Sequence, residues 1–253
     1  MKKKILVSLV IHNQSVLVES LIDQLLSIES KYFIEVFLRV NTREDVSNLH
    51  RFFAHPKFRI VFNINPLGFG ANHNLNFSSV ACDYFVVMNP DIDLVDGNFD
   101  SLIANFDCDK VGIVSPKVVD FENTLEDSIR EFPTISALFR RYSRKQEIEL
   151  ERLNLVKNGS FWCAGMFMIF SSESYRIADG FDKKYFMYLE DADICLRLKY
   201  IFKKQVIYDP YYKCIHNAQR ASRSFSMAFL WHLSSLIKFQ FTYFYLKILG
   251  VTK

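Results

Sequence analysis

The sequence predicts an α/β fold: a mostly parallel central sheet with flanking helices, followed by an aromatic amphipathic C-terminal helix. Apolar β-branched runs alternate with helical patterns through the first half, and an aromatic-rich stretch runs from Ser224 to Leu249. Strict alternation of strand and helix makes a parallel sheet covered on both faces.

The strands read as Ile5–Ile11, Phe33–Val40, Phe58–Phe62, Tyr84–Met88 and Val111–Val114, with helices at Val16–Ser27, Asp45–Ala54, Ala71–Ser79 and Phe99–Phe106. Met1–Lys4 followed by Ile5–Ile11 imitates a signal peptide. The apolar run is short and meets His12-Asn13 without a small-residue cleavage site, so it reads as a buried first strand. Ligands of such sheets bind outside the carboxyl ends of the strands, where Ser8–Asn13, Asn41–Asp45, Asn65–Gly70 and Asn89–Asp93 emerge. Beyond them come the polar stretch Asp120–Arg130 and a basic, helix-like segment, Ser136–Glu151. Phe161–Phe170 reads as one buried strand, Ile194–Phe202 as a helix and Tyr212–Ile215 as a strand.

A chain of 253 residues suits one large domain, expected over 1–223, with 224–253 as the appended helix. Its net charge of +3 gives no global basic field, which excludes a general nucleic-acid binder. Five cysteines, Cys82, Cys108, Cys163, Cys195 and Cys214, are scattered singly, without zinc or disulfide spacing, and point to a reducing, cytoplasmic setting. The 25 Phe and 12 Tyr exceed what a core needs and call for a membrane surface or a partner.

Two acidic groups carry the chemistry. The turn Asn89-Pro90-Asp91-Ile92-Asp93 places hard oxygen ligands at a strand end, suited to Mg²⁺ or Mn²⁺ beside a diphosphate, although an Asx turn uses the same residues. Glu190-Asp191-Ala192-Asp193 opens a helix, where carboxylates also serve as caps. Asp191 is the candidate general base for deprotonating an acceptor hydroxyl. Asn65–Gly70 is a glycine-containing loop able to present backbone N–H groups to phosphate. His216, at a strand end, is a candidate further metal ligand, whereas His12 and His73 read first as ordinary polar residues.

Together the segments resemble the inverting GT-A glycosyltransferases of family 2, with their Rossmann-like sheet, and particularly the bacterial O-antigen rhamnosyltransferases. The resemblance rests on Ser8–Asn13, Gly68-Phe69-Gly70, Asn89-Pro90-Asp91, Arg130–Pro133, Trp162–Gly165, Gly180-Phe181-Asp182, Tyr185–Asp193 and Cys195–Leu198. It implies a metal on Asp91, with Asp93 and His216 as further candidates, and the catalytic base at Asp191. It also implies a donor nucleotide held by His12, Asn13, Asn41, Asn65, Gly68, Gly70, Asn89 and Asp91. Arg130, Trp162, Cys163, Gly165 and Glu190 fall at the sugar and acceptor pocket. One departure is Arg39-Val40-Asn41, where the family has Asp-Asn: Val40 cannot accept a hydrogen bond, so donor recognition shifts to Asn41, Asp45 or backbone groups.

The implied reaction moves L-rhamnose from dTDP-rhamnose, or alternatively a hexose from a UDP-sugar, to a polyprenyl-diphosphate-linked saccharide. A non-catalytic nucleotide-sugar-binding scaffold is the reading of another class, opposed by the presence of both Asp91 and the Glu190-Asp191 pair. The terminal helix, with Arg220 and Arg223 just before it and Lys238 and Lys247 within it, is expected to lie on the inner face of the bacterial inner membrane, or else to pack on the domain or a homodimer partner.

Overall fold

A computed structural model describes residues 2–95, 97–135, 137, 155–157, 159–217 and 225–251. Apart from Ala137, the expected basic helix Ser136–Glu151 lies outside the described residues, as do Arg220, Arg223 and the 223/224 boundary.

Along the described chain run β1 (Lys4–Ile11), β2 (Phe33–Val40), β3 (Phe58–Phe62), β4 (Tyr84–Met88), β5 (Ile92–Leu94), β6 (Val111–Val119), β7 (Ile129–Glu131), β8 (Phe161–Cys163), β9 (Phe167–Ser171) and β10 (Gln205–His216). The helices are α1 (Ser15–Ser27), α2 (Phe69–Ser79), α3 (Asp100–Ala104), α4 (Ser172–Ile177), α5 (Glu190–Leu196) and α6 (Phe225–Ile248). A short 3₁₀ turn, Ser47–Phe52, stands where a longer helix was expected.

Eight strands form one sheet in the order β3-β2-β1-β4-β9-β6-β10-β5, and β7 pairs with β8 in a separate ribbon. β3, β2, β1 and β4 are parallel neighbours; β9 enters antiparallel between β4 and β6. β10 then runs parallel to β6, and β5 closes the edge antiparallel to β10. The carboxyl ends of β1, β2, β4, β6 and β10 therefore share one edge, and β5 and β9 begin there.

One face is covered by α1 and α3. α1 buries Val18, Leu21, Ile22 and Leu25, the i, i+3, i+4, i+7 spacing of an amphipathic helix. The opposite face gathers Phe85, Phe170, Tyr175, Phe181, Leu196 and Phe239 beneath α2, α4, α5 and α6. Each such side chain withdrawn from water contributes about 1.5–3 kcal/mol.

α2 is different, because it turns Asn72, His73 and Asn76 inward. Arg39 donates to Asn76 (2.8 Å) and Asn63 (2.9 Å), Asn76 donates to Ser8 Oγ (2.9 Å), and Ser8 Oγ meets His73 Nδ1 at 2.7 Å. Leaving one of these groups unpaired would cost about 1–3 kcal/mol, so the network fixes how α2 sits on β1 and β2. Burial, and then the nearby Arg39 charge, push the His73 pKa down to about 3, so His73 is a neutral structural residue.

Candidate active site

The shared strand edge collects the predicted groups. Asp91 occupies the turn between β4 and β5, and His216 ends β10 opposite Ile92. His216 Nε2 lies 3.2 Å from Asp91 Oδ1, and Asn217 donates its N–H to Asp91 O at 2.8 Å. Asp91 Oδ1 and His216 Nδ1 are buried without an aligned hydrogen bond. Burial opposes charge on His216, but the carboxylates of Asp91 and Glu126 outweigh it and raise its pKa.

Two ligands at right angles on a divalent cation, each at about 2.1 Å, lie about 3.0 Å apart. The Asp91–His216 spacing therefore fits a shared cation, with carboxylate and imidazole as its protein donors. No group of three or more His, Cys, Asp or Glu poised on a metal occurs among the described residues, so most of such a cation's coordination would come from ligand oxygens and water. Asp93 takes another direction. Its carboxylate accepts a hydrogen bond from Gln24 of α1, which sets it apart from the Asp91–His216 pair.

Asp191 stands in the first turn of α5. Its Oδ2 accepts the N–H of Gly165 (2.9 Å) and its Oδ1 that of Ala192 (2.9 Å). Gly165 precedes Met166, whose carbonyl accepts the N–H of Asn89 (2.9 Å), so the chain beside Asp191 is joined directly to the turn carrying Asp91. Burial raises the Asp191 pKa, opposed by the Gly165 N–H and the Arg130 charge. Glu190 is buried with Oε2 unpartnered; burial and the adjacent Asp191 carboxylate raise its pKa. Just before it, Tyr188 (φ 73°) and Leu189 (φ 65°) adopt two successive left-handed conformations, uncommon for such residues and costing on the order of 1–3 kcal/mol each.

Arg130 and Trp162 face each other across the β7–β8 ribbon, the guanidinium 5.4 Å from the indole centre. Arg130 Nε also pairs with Asp127 (2.9 Å), and Trp162 donates its N–H to Glu131 O (3.0 Å). Cys163 is fully buried, which pushes its thiol up to about 12 and makes it packing rather than a nucleophile.

The expected donor residues divide into two sets. His12 and Asn13, after β1, and Asn65, after β3, are exposed, and Asn65 lines a hollow of about 240 Å³ with Asn41, Thr42, Arg43 and Pro66. Asn41 is occupied in binding the protein itself: its amide donates to Leu67 O (3.0 Å) and accepts from Leu67 N–H (2.8 Å) and Asn63 (2.8 Å). Asp45 accepts the N–H and O–H of Ser47 just before the 3₁₀ turn, a local structural role. Gly68 and Gly70 serve close packing. A Cβ on Gly68 would fall 2.3 Å from Phe186 O, and one on Gly70 2.5 Å from Phe181 Cβ, while the Phe69 N–H is spent on Phe186 O.

Sequence reasoning missed Glu44 and Glu126. Glu44 accepts the N–H groups of Asn13 (2.7 Å), Gln14 (2.8 Å) and Ser15 (3.0 Å), closing the N-terminus of α1. A carboxylate sequence-distant from a helix start gives no local capping signal. Glu126 approaches His216 and lay within a stretch read only as polar.

No protein-family model matches the chain. It is 30% identical over 188 residues to rhamnosyltransferase WbbL of Escherichia coli, covering 68% of this chain and 69% of that protein. It is 23% identical over 194 residues to the N-acetylglucosaminyl-diphospho-decaprenol L-rhamnosyltransferase of Mycobacterium tuberculosis, covering 68% of this chain and 63% of that one. The Pyrobaculum calidifontis mannosyltransferase PcManGT, solved with GDP-Man and Mn²⁺, superposes with a TM-score of 0.64 at 16% identity, over 87% of this chain and 59% of that one. The chain thus spans less than two thirds of the mycobacterial relative and of the mannosyltransferase. The superposition identifies the GT-A fold, and the match to WbbL over more than two thirds of its length places the chain in the rhamnosyltransferase family of GT-A glycosyltransferases.

Proposed function

We propose that the protein transfers L-rhamnose from dTDP-rhamnose to a polyprenyl-diphosphate-linked saccharide, with inversion, in the assembly of O-antigen or a related surface polysaccharide. The observation that carries this reading is the junction of the Asp91–His216 pair and the Gly165-held Asp191 through the Asn89–Met166 hydrogen bond. The relatives' names supply the sugar and the lipid-linked class of acceptor.

In the transfer, the Asp191 carboxylate removes the acceptor hydroxyl proton as that oxygen forms the new bond to the sugar carbon. The carbon's bond to the diphosphate breaks on the opposite side, and its electron pair leaves with the nucleoside diphosphate. Asp91 and His216 would hold a Mg²⁺ or Mn²⁺ ion, which would supply positive charge to offset that gathering on the diphosphate. Arg130, over the Trp162 ring, favours the ionised form of Asp191 against the effect of burial and supplies a cation for the phosphates of donor or acceptor. His12, Asn13 and Asn65 frame the nucleotide, in place of the absent strand-two Asp.

Transfer of rhamnose to lipid-linked acceptor in vesicles, together with a thermal-shift panel of dTDP, UDP and GDP in Mn²⁺, tests the assignment. dTDP is expected to stabilise most. Stronger stabilisation by UDP, with transfer from a UDP-hexose, would replace the donor and leave the chemistry standing.

An exposed apolar stripe on α6 supports a membrane-surface location for the site. The inner face of α6 is docked through Ser235, buried Phe239 and Leu246, with Trp231 against Phe186 at 4.9 Å. Its outer face leaves Leu230, Leu233, Ile237, Phe241, Phe244 and Ile248 exposed, one stripe about 27 Å long. No helix among the described residues is long and apolar enough to cross a membrane. Phe241→Asp with Phe244→Asp should lower sedimentation with anionic vesicles at least tenfold, since each buried Phe is worth about 1.5–3 kcal/mol. These substitutions test the surface better than deletion of α6, whose inner face supports Tyr185–Tyr188. Undiminished sedimentation would assign the stripe to a homodimer partner instead.

A further inference from the structure

Glu126 stands where no residue of the proposed reaction requires one. After β6 the chain turns on Asp120, whose carboxylate accepts the N–H groups of Glu122 (3.0 Å) and Thr124 (2.8 Å), and Leu125 returns to bridge Val119. Glu126 is then pinned to the sheet by its own N–H, donated to Val118 O at 2.9 Å. Val119 is the register partner of Ile215, and Ile92 that of His216. Main-chain pairing therefore draws up Asp91, His216 and Glu126 side by side across three neighbouring segments. The imidazole lies between the two carboxylates: Nε2 is 3.2 Å from Asp91 Oδ1, and Nδ1 is 3.9 Å from Glu126 Oε1.

We infer that Glu126 is a positioning residue for His216. With a cation bound, it would take the Nδ1–H of the imidazole and so fix the tautomer whose Nε2 lone pair serves as metal donor beside Asp91. An imidazole with a cation on one nitrogen is oriented and made more basic by a carboxylate on the other, and loss of such a carboxylate weakens metal binding about 10–100-fold. Nδ1 is buried without an aligned hydrogen bond, and a closure of under about 1 Å brings it into hydrogen-bond range of Glu126. The inference rests on the proposed metal site at Asp91 and His216.

Mn²⁺ binding, read by electron paramagnetic resonance on the full-length protein with and without dTDP, tests it apart from turnover. Glu126→Gln keeps the side-chain shape and removes its charge; it is expected to raise the Mn²⁺ Kd about 10–100-fold with the metal-free Tm unchanged. His216→Ala should weaken binding at least as much. The double variant should be no weaker than His216→Ala, because the carboxylate then has no imidazole to orient. Wild-type Mn²⁺ affinity in Glu126→Gln, or losses that add in the double variant, would overturn the positioning role. Failure of the wild-type protein to bind Mn²⁺ in any condition would overturn the metal site itself, and the inference with it.

Discussion

Asp191→Asn is expected to lower rhamnosyl transfer by about two to four orders of magnitude, the usual contribution of a general base, while dTDP affinity measured by calorimetry changes little. The amide keeps one acceptor oxygen, enough for the Gly165 or the Ala192 N–H but not both, so the start of α5 loses one hydrogen bond, about 1 kcal/mol, along with the capacity to take a proton, and a melting curve separates the two effects. Glu190→Gln is the necessary comparison, since Glu190 is adjacent and carries an unpartnered oxygen. Full activity in Asp191→Asn, with the loss appearing in Glu190→Gln, would move the base by one residue. The pH profile adds a sign. Asp191 acts ionised and burial raises its pKa, so kcat/KM should begin to fall on acidification above the ordinary carboxylate range. Removing the Arg130 cation, which favours the ionised form, should move that acid limb to still higher pH.

The second large effect separates two carboxylates that look equivalent in the motif. Asp91→Ala removes a donor from the proposed cation site and with it several kcal/mol of charge stabilisation, a loss on the order of 10³-fold in turnover. Asp93→Ala removes the acceptor of the Gln24 hydrogen bond, worth about 1 kcal/mol of stability, and should leave kcat within a few-fold. Parallel kinetics and melting curves distinguish them. Equal losses of activity would show that Asp93 shares the metal after all.

How much was legible follows from where each signal lies. β2, β3 and β4 have the bounds read from their apolar runs, and β1 differs by one residue. α2 begins two residues earlier than read, because Phe69, whose N–H binds Phe186 O, and Gly70, packed against Phe181, enter the helix through contacts distant in sequence. Phe161–Phe170 looked like one strand but divides at Ala164–Met166, where Ala164 N–H turns to Ser128 O and Gly165 N–H to Asp191. Only the end of β10 was read, since Asp209 draws in the N–H groups of Tyr211 and Tyr212 and makes an irregularity that its apolar pattern does not carry. In the site, Asp91, Asp191 and His216 were visible through motif and strand-end position. The structural duty of Asn41 and the approach of Glu126 depend on partners made neighbours only by folding.

The attachments around the site share a property that bears on how such a sequence can diverge. Ser235 and Lys238 of α6 bind the carbonyls of Met187 and Lys184, Gln240 that of Pro133, Trp162 that of Glu131, and Asn41 both main-chain groups of Leu67. In each case one side chain is specified and its partner is anonymous backbone, a carbonyl that any residue supplies or, at Leu67, an N–H that any residue but proline supplies. Drift is therefore tolerated on the accepting side and punished on the donating side. Homologues should retain a hydrogen-bonding residue at the positions of Asn41, Trp162 and Ser235 while the side chains at Leu67, Glu131 and Met187 change freely, including those facing different acceptors.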